Sequence, residues 1–200
     1  MRRTACLLSV IALSVACGST TTAPTTTATP PHADLTDPSG DAVASTGVPA
    51  PPDMVHGVID VTGGNLTLTV QFASGTLDLQ TTRLTVQLDT DQNVATGVGG
   101  GDGVGIDYVL DLWTRTSQTI VQRATPASCV NGANCYVDAG SVAVTIGTNT
   151  MTATVPLSML GNPAGGMNFR VLAYASPQST VPTVVADVMP DLALAPAHIP

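Results

Sequence analysis

Oxygen-bearing side chains stand at alternate positions where an apolar, alternating segment of the chain ends. Asp89, Asp91 and Asn93 belong to the run Leu-Asp-Thr-Asp-Gln-Asn, and Asp102 and Asp107 follow in a glycine-rich stretch. Carboxylate, amide and carbonyl oxygens gathered by one flexible loop are the ligands that Ca²⁺ prefers. The spacing therefore predicts a Ca²⁺ site formed by these five residues.

This loop is not an EF-hand, although its first positions are similar to one. Val94 and Gly100 stand where an EF-hand has its glycine at position six and its bidentate glutamate at position twelve. The alternative interpretation is an aspartate-rich turn, in which the side chains accept hydrogen bonds from nearby backbone N–H groups and bind no metal. The sequence leaves both interpretations open.

The chain begins with the pattern of an export signal. Two arginines precede the apolar segment 5–15, which is too short to cross a bilayer, and Ala16 stands directly before Cys17. This arrangement resembles a bacterial lipobox, so we expect residues 1–16 to be a signal peptide and Cys17 to carry a lipid. The lipid would anchor the exported protein to the membrane of a bacterial cell envelope. Cleavage after Ala16 by an ordinary signal peptidase is the alternative.

A tether and one folded domain are expected after the signal. Residues 17–33 are rich in threonine and proline and contain little that could be buried, so we expect an extended, disordered segment. Residues 34–200 have the size of one domain. The domain boundary is therefore predicted at residue 34.

Cysteine parity predicts one disulfide in the folded part. Cys6 leaves with the signal and Cys17 takes the lipid, so that Cys129 and Cys135 remain as one pair in an oxidising setting. Five turn-forming residues separate them. The alternative is a redox or metal-binding pair, although the spacing differs from that of a Cys-x-x-Cys motif.

The charged residues exclude one class of partner and favour one class of structure. All fourteen acidic residues are aspartate, and the chain contains neither glutamate nor lysine. Without the signal, four arginines leave a net charge of about −10, which excludes nucleic acid because phosphate binding needs clusters of lysine and arginine. The absence of glutamate and lysine argues against exposed helices, whereas abundant threonine, valine and glycine favour strands and turns.

Alternation of apolar and polar residues predicts an all-β fold of about nine strands. Period two, with turn signals every 8–12 residues, is typical of an antiparallel two-sheet β-sandwich of jelly-roll or immunoglobulin-like type. One helical turn is predicted at 156–160, before Gly161. The predicted strands are 55–61, 66–72, 83–88, 107–113, 119–123, 141–146, 151–155, 167–174 and 181–188.

Short motifs occur at both ends and in the middle of the predicted domain. They are Asp37-Pro-Ser-Gly-Asp41, Pro52-Asp53-Met54-Val55, the central Leu-Asp-Thr-Asp-x-Asn-x-x-Thr-Gly followed by Asp107-Tyr108, the segment 155–161, and Asp187-Val-Met-Pro-Asp191. Together they resemble family 9 carbohydrate-binding modules and DOMON-like domains. The resemblance implies bound Ca²⁺ that ties the termini together, with Asp37, Asp41, Asp53 and Asp187 as secondary ligands. Turn and cap roles are the alternative for these four.

The same resemblance implies sugar binding, which needs an exposed aromatic face. Phe72, Tyr108, Phe169 and Tyr174 lie on strand-like alternations, so we expect them in the core. Trp113, at a strand end, is the candidate ligand-binding platform. A core position for this tryptophan is the alternative.

No catalytic motif is present in the sequence. Gly-x-Ser-x-Gly, His-Glu-x-x-His and a phosphate-binding loop are all absent. We therefore predict a non-catalytic cell-surface lipoprotein domain, stabilised by Ca²⁺, that binds an extracellular ligand, with glycan as the suggested class. One alternative is a structural or protein-binding domain in which the ion only stabilises, and the other is a secreted hydrolase that uses aspartates.

Overall fold

The computed structural model of the chain describes residues 32–43, 51–100, 104–129, 133–175, 185–191 and 195–199. Within these residues the chain forms thirteen strands, two short 3-10 turns and no α-helix. Every strand pairing observed there is antiparallel, so the predicted all-β, antiparallel class is confirmed. The predicted signal peptide, Cys17, the rest of the predicted tether up to residue 31, and Asp102 lie outside the described residues. No helix among the described residues has the length and apolar character needed to cross a membrane.

The strands follow the predicted alternation closely. They are β1 (His32–Thr36), β2 (Met54–Thr62), β3 (Asn65–Phe72), β4 (Thr82–Asp89), β5 (Val98–Gly100), β6 (Val104–Ile106), β7 (Tyr108–Trp113), β8 (Gln118–Ala124), β9 (Tyr136–Ile146), β10 (Thr150–Pro156), β11 (Gly165–Ala175), β12 (Val185–Met189) and β13 (Ala195–Ile199). The nine predicted strands correspond to β2–β4 and β7–β12, and residues 181–184 of the last predicted strand lie outside the described residues. The four additional strands are short, and β1 begins two residues before the predicted domain boundary.

The predicted helical turn and disulfide are also present. Leu157–Leu160 form a 3-10 turn that ends at Gly161, whose φ of 75° lies in the left-handed region that glycine adopts readily. Cys129 and Cys135 are joined by a disulfide that closes the loop between the 3-10 turn Pro126–Ser128 and strand β9.

Eleven strands form one continuous sheet in the order β1-β2-β3-β10-β9-β8-β7-β4-β11-β12, and β13 pairs with the first half of β11. Strands β5 and β6 form a separate hairpin. The long strand β9 joins the two halves of the sheet, since residues 136–143 pair with β8 and residues 144–146 pair with β10.

The sheet curls until its first and last strands approach each other. Strand β12 contacts β2, and β13 contacts β1, without a strand ladder between them. We call this junction the seam. A Cβ atom on Gly57 would lie 2.2 Å from Met189 Cε, so any larger residue at position 57 would force the end of the Met189 side chain to move.

One hydrophobic core fills the inside of the curl and draws on both halves of the sheet. In β3, Leu66, Leu68, Val70 and Phe72 alternate inward and are fully buried, and they share the core with the inward residues of β4, β7, β10 and β11. A fully buried side chain of this size stabilises the fold by about 1.5–3 kcal/mol.

Three of the four aromatic residues predicted in the core are found there. Phe72, Tyr108 and Phe169 belong to the core cluster. The prediction for Tyr174 is wrong, because Phe169 and the inward positions that alternate with it in β11 place residue 174 on the outer face. Tyr174 is half-buried there, with its ring centroid 5.9 Å from the guanidinium carbon of Arg83.

Candidate metal centres

Five aspartates from three separate segments meet at the seam. We call them the terminal cluster: Asp37, Asp41, Asp53, Asp187 and Asp191. Asp37 and Asp41 follow β1, Asp53 precedes β2, Asp187 is on β12 and Asp191 follows it. Carboxylate oxygens of Asp41, Asp53 and Asp187 lie within 4.8 Å of one another, and those of Asp37, Asp41 and Asp191 do the same.

Backbone donors from both sides of the seam hold the carboxylate of Asp187 in place. Its Oδ2 accepts a hydrogen bond from the N–H of Met54 at 2.6 Å, and its Oδ1 accepts one from the N–H of Val188 at 2.8 Å. Only 6 % of Asp187 is exposed. The side chain is therefore fixed across the seam, between the start of β2 and the middle of β12.

Asp53 is equally buried but only half satisfied. Its Oδ2 accepts hydrogen bonds from the N–H of Gly40 at 2.8 Å and from the hydroxyl of Ser39 at 3.3 Å. Its Oδ1 is buried and has no hydrogen-bond partner within the described part of the chain, and Oδ2 of Asp37 is in the same condition. A buried carboxylate oxygen without a donor destabilises the fold by several kcal/mol unless a positive charge lies beside it.

The carboxylates of the terminal cluster repel one another. Burial, followed by the charges of Asp187 and Asp191, raises the pKa of Asp37 to about 7. Burial also raises the pKa of Asp187 to about 6, although two backbone N–H groups oppose the rise. Among the described residues, no arginine or histidine forms an ion pair with any member of the cluster. Without a cation the ionised cluster is therefore electrostatically costly.

A second group of carboxylates lies at the loop that follows β4. We call Asp89, Asp91 and Asp107 the central cluster, because their carboxylate oxygens lie within 4.8 Å of one another. Asp107 reaches Asp89 because its own backbone N–H donates to the carbonyl oxygen of Leu88 at 2.8 Å. The structure thus brings together three of the five residues predicted as the primary site.

The loop itself supplies donors to the central cluster. The N–H of Asn93 donates to Asp89 Oδ1 at 3.2 Å and to Asp91 Oδ1 at 2.9 Å, and the Thr96 hydroxyl lies 3.0 Å from both oxygens of Asp91. The N–H and hydroxyl of Thr90 both donate to Asp107 Oδ2 at 2.8 Å. These are the contacts that the metal-free turn interpretation predicts.

Two features fix the shape of this loop. Asn93 turns its side-chain oxygen to the N–H of Ala95, at 3.1 Å, so this oxygen already has a donor. Gly97 has a φ of 68°, and a Cβ atom there would lie 2.4 Å from the carbonyl oxygen of Ile106.

Asp89 is only 2 % exposed, and burial raises its pKa, as do the charges of Asp107 and Asp91.

Trp113 lies on the outer face of the sheet within a fixed network. Arg83 and Asp111 form a two-pronged ion pair, in which Nη2 donates to Oδ2 at 2.6 Å and Nε donates to Oδ1. The indole N–H of Trp113 donates to the same Oδ2 at 3.0 Å, and the Arg83 guanidinium carbon lies 4.5 Å from the Trp113 ring centroid. One hydrogen bond and one cation–π contact therefore orient the indole.

A groove of about 580 Å³ runs beside the half-buried indole. Its lining combines apolar surface with amide, hydroxyl and guanidinium groups, from Asp111, Trp113, Arg115, Thr116, Gln118, Ile120 and Ser141. Trp113 is thus neither a core residue nor an isolated surface residue. It forms one wall of a groove.

Sequence reasoning missed Arg83 and Asp111 in this network and did not include Asp191 among the expected ligands. The alternation of 107–113 places Asp111 and Trp113 on one face, which was a usable signal. Arg83 joins them only through the pairing of β4 with β7, in which Arg83 is directly opposite Trp113.

Comparison with known proteins adds no relative. No protein-family model matches the chain, and no curated protein sequence matches it significantly. The resemblance to family 9 carbohydrate-binding modules and DOMON-like domains therefore stays a prediction, and the functional argument depends on the geometry of the described residues.

Proposed function

We propose that this protein is a non-catalytic, Ca²⁺-stabilised all-β domain that binds an extracellular ligand, carried by a lipoprotein that Cys17 anchors to the bacterial cell envelope. The main support for a bound cation is the environment of Asp53. Its carboxylate is 6 % exposed, lies among other carboxylates, and has one buried oxygen without a donor. A bound cation would satisfy that oxygen and offset the repulsion within the terminal cluster.

The chemistry of the ligands favours Ca²⁺ over other cations. Both clusters offer only oxygen ligands, and neither includes histidine or cysteine, which zinc and copper sites use. Carboxylates gathered from separate segments of the chain suit the flexible coordination of Ca²⁺ better than the strict octahedron of Mg²⁺. The central cluster, with Asn93 and Asp102, is our second candidate for an ion, although its own loop already satisfies much of it.

We also propose that the curled sheet acts as the two facing layers of a β-sandwich. The support is the main hydrophobic core, which receives side chains from β2, β3 and β10 on one side and from β4, β7 and β11 on the other. Strand β9 would then be the strand that passes from one layer to the other.

Thermal unfolding tests whether the protein binds a cation. The protein should melt roughly 5–10 °C higher in millimolar Ca²⁺ than in excess chelator, since an ion at 100 times its dissociation constant contributes about 2.7 kcal/mol to a domain of this size. Equal melting temperatures in the two media would overturn the proposal.

A glycan is the ligand class that we propose for the groove beside Trp113. The support is an indole that is held rigidly before any ligand arrives, which lowers the entropy that binding would cost. Amide and hydroxyl groups of Gln118, Thr116 and Ser141 line the same groove and can bond to sugar hydroxyls. A purely structural domain would not need a groove prepared in this way.

The single tryptophan makes this part directly measurable. Trp113 is the only tryptophan in the chain, so its fluorescence reports on the groove alone. Cellohexaose, xylohexaose and laminarihexaose should be titrated in Ca²⁺; at least one should change the emission saturably, and Gln118→Ala should weaken that binding. Gln122→Ala is the matched control, because this residue lies on the same strand and face but outside the groove. No response to any of the three at millimolar concentration would favour the structural function instead.

A further inference from the structure

The terminal cluster contains two overlapping groups of carboxylates. One is Asp41 with Asp53 and Asp187, and the other is Asp41 with Asp37 and Asp191. Oxygens bound to one Ca²⁺ lie within about 5 Å of each other, because each Ca–O distance is about 2.3–2.6 Å. Each triad meets this condition, whereas Asp37 and Asp53 meet it only in separate triads.

Each triad also has its own buried oxygen without a donor. In the first triad it is Oδ1 of Asp53, whose other oxygen is already occupied by Gly40 and Ser39. In the second triad it is Oδ2 of Asp37. A cation placed in one triad would therefore leave the unpartnered oxygen of the other triad as it was.

Charge and connectivity favour the same arrangement. The cluster carries five carboxylates, and two divalent cations would leave it with a net charge of −1. Asp41 is the only member common to both triads, and its two carboxylate oxygens allow it to bind one ion with each. Bridging carboxylates of this kind hold paired cations a few ångströms apart.

We infer that the terminal cluster is a two-ion centre, in which Asp41 bridges one divalent cation held with Asp53 and Asp187 to a second held with Asp37 and Asp191. This inference depends on the proposed function, because it requires that the cluster bind cations at all. It adds the number of ions and a distinct role for each aspartate.

Counting bound ions tests the inference. Equilibrium dialysis with radioactive Ca²⁺ gives the number bound per chain at saturation. Asp53→Asn and Asp37→Asn should each remove one ion, and Asp41→Asn should remove two. Asp138→Asn, an exposed aspartate on β9 outside both clusters, should remove none. Asparagine keeps the size of the side chain and one acceptor oxygen, and it relieves repulsion, so the variants should fold in chelator with unchanged Trp113 fluorescence.

The outcomes separate the inference from the proposed function. If the double variant Asp37→Asn/Asp53→Asn and the single variant Asp41→Asn each lose only one ion, the cluster holds one ion; the inference fails and the proposed function stands. If no variant changes the count, both fail. Should a variant not fold, the count for Asp89→Asn/Asp91→Asn alone gives the same answer, since two ions must remain outside the central cluster.

Discussion

The two acidic clusters contain the same residue type at similar distances, yet only the terminal cluster buries carboxylate oxygens that lack a donor. In the central cluster, the loop that carries Asp91 also supplies the N–H of Asn93 and the hydroxyl of Thr96 that bond to it. In the terminal cluster, Asp53 and Asp37 each bury an oxygen that receives no hydrogen bond. The useful evidence for a cation is therefore the absence of competing donors, rather than the number of carboxylates.

Chain connectivity explains this difference. A short loop brings its own backbone N–H groups to the side chains that it carries, so residues 89–96 can satisfy themselves. The terminal cluster gathers carboxylates from the two ends of the domain. Most backbone donors beside it are already used, as when the N–H of Asp37 donates to the carbonyl oxygen of Val55 and that of Val43 donates to Ala186.

The largest effect is expected from Asp53→Asn. This variant should lose the part of the Ca²⁺-dependent rise in melting temperature that one ion contributes, roughly 5–10 °C, while its melting temperature in chelator stays the same or increases because a repelling charge is gone. Calorimetry in both media gives the two values, with Asp138→Asn as the control. If Asp53→Asn keeps the full Ca²⁺-dependent rise in melting temperature, the buried oxygen without a donor does not mark the terminal cluster as the cation site.

A smaller effect is expected from Asp89→Ala with Asp91→Ala. The double variant loses the bonds to the N–H of Asn93 and the hydroxyl of Thr96, so it should be destabilised by about 1–2 kcal/mol in Ca²⁺ and in chelator alike. Urea unfolding in the two media measures this. A loss confined to Ca²⁺ would mean that the central cluster is chiefly an ion site and that its loop bonds contribute little.

The smallest effect is the pH dependence of the metal-free protein. The raised pKa values of Asp37 and Asp187, about 7 and about 6, mean that the folded state keeps protons that the unfolded state releases near pH 4. In metal-free buffer, their contribution to the free energy of unfolding should therefore fall as the pH rises from about 4 to about 7. Asp37 is partly solvated, which limits its share of the fall.

The comparison of wild type with Asp37→Asn isolates this contribution from that of the other carboxylates. The free energy of unfolding should fall less steeply with rising pH in the variant than in wild type. In wild type the fall should be suppressed when Ca²⁺ is present, because a bound cation keeps the cluster ionised at lower pH. If the free energies of unfolding of the two proteins fall in parallel with rising pH in metal-free buffer, the pKa of Asp37 is not raised in the folded state.

Most of the fold could be predicted from the sequence because the alternation is visible where one face is buried. Leu66–Phe72 is the clearest case, and it became β3 with every second residue in the core. The first half of β9 escaped prediction because residues 137–141 are exposed on both faces and show no alternation. The short strands β1, β5, β6 and β13 offered too few residues for a period to appear.

The sites were predictable only where their residues are close in sequence. The central cluster was found from the spacing of Asp89 and Asp91. For the terminal cluster, the resemblance supplied four of its five residues, but no local pattern could show that Asp53 would meet Asp187 or that one of its oxygens would lack a donor. These facts depend on the curl of the sheet, which the sequence does not encode within any single segment.

The bond between the N–H of Met54 and the carboxylate of Asp187 joins positions 133 residues apart. Closing a loop of that length costs about 4 kcal/mol of chain entropy, whereas hairpins such as β2–β3 join neighbours at much lower cost. We therefore expect the seam to form late in folding and, in the folded protein, to open before the rest of the sheet does. A cation bound there would act as a latch, so that the free Ca²⁺ concentration would govern how long the chain resists proteolysis while leaving its shape unchanged.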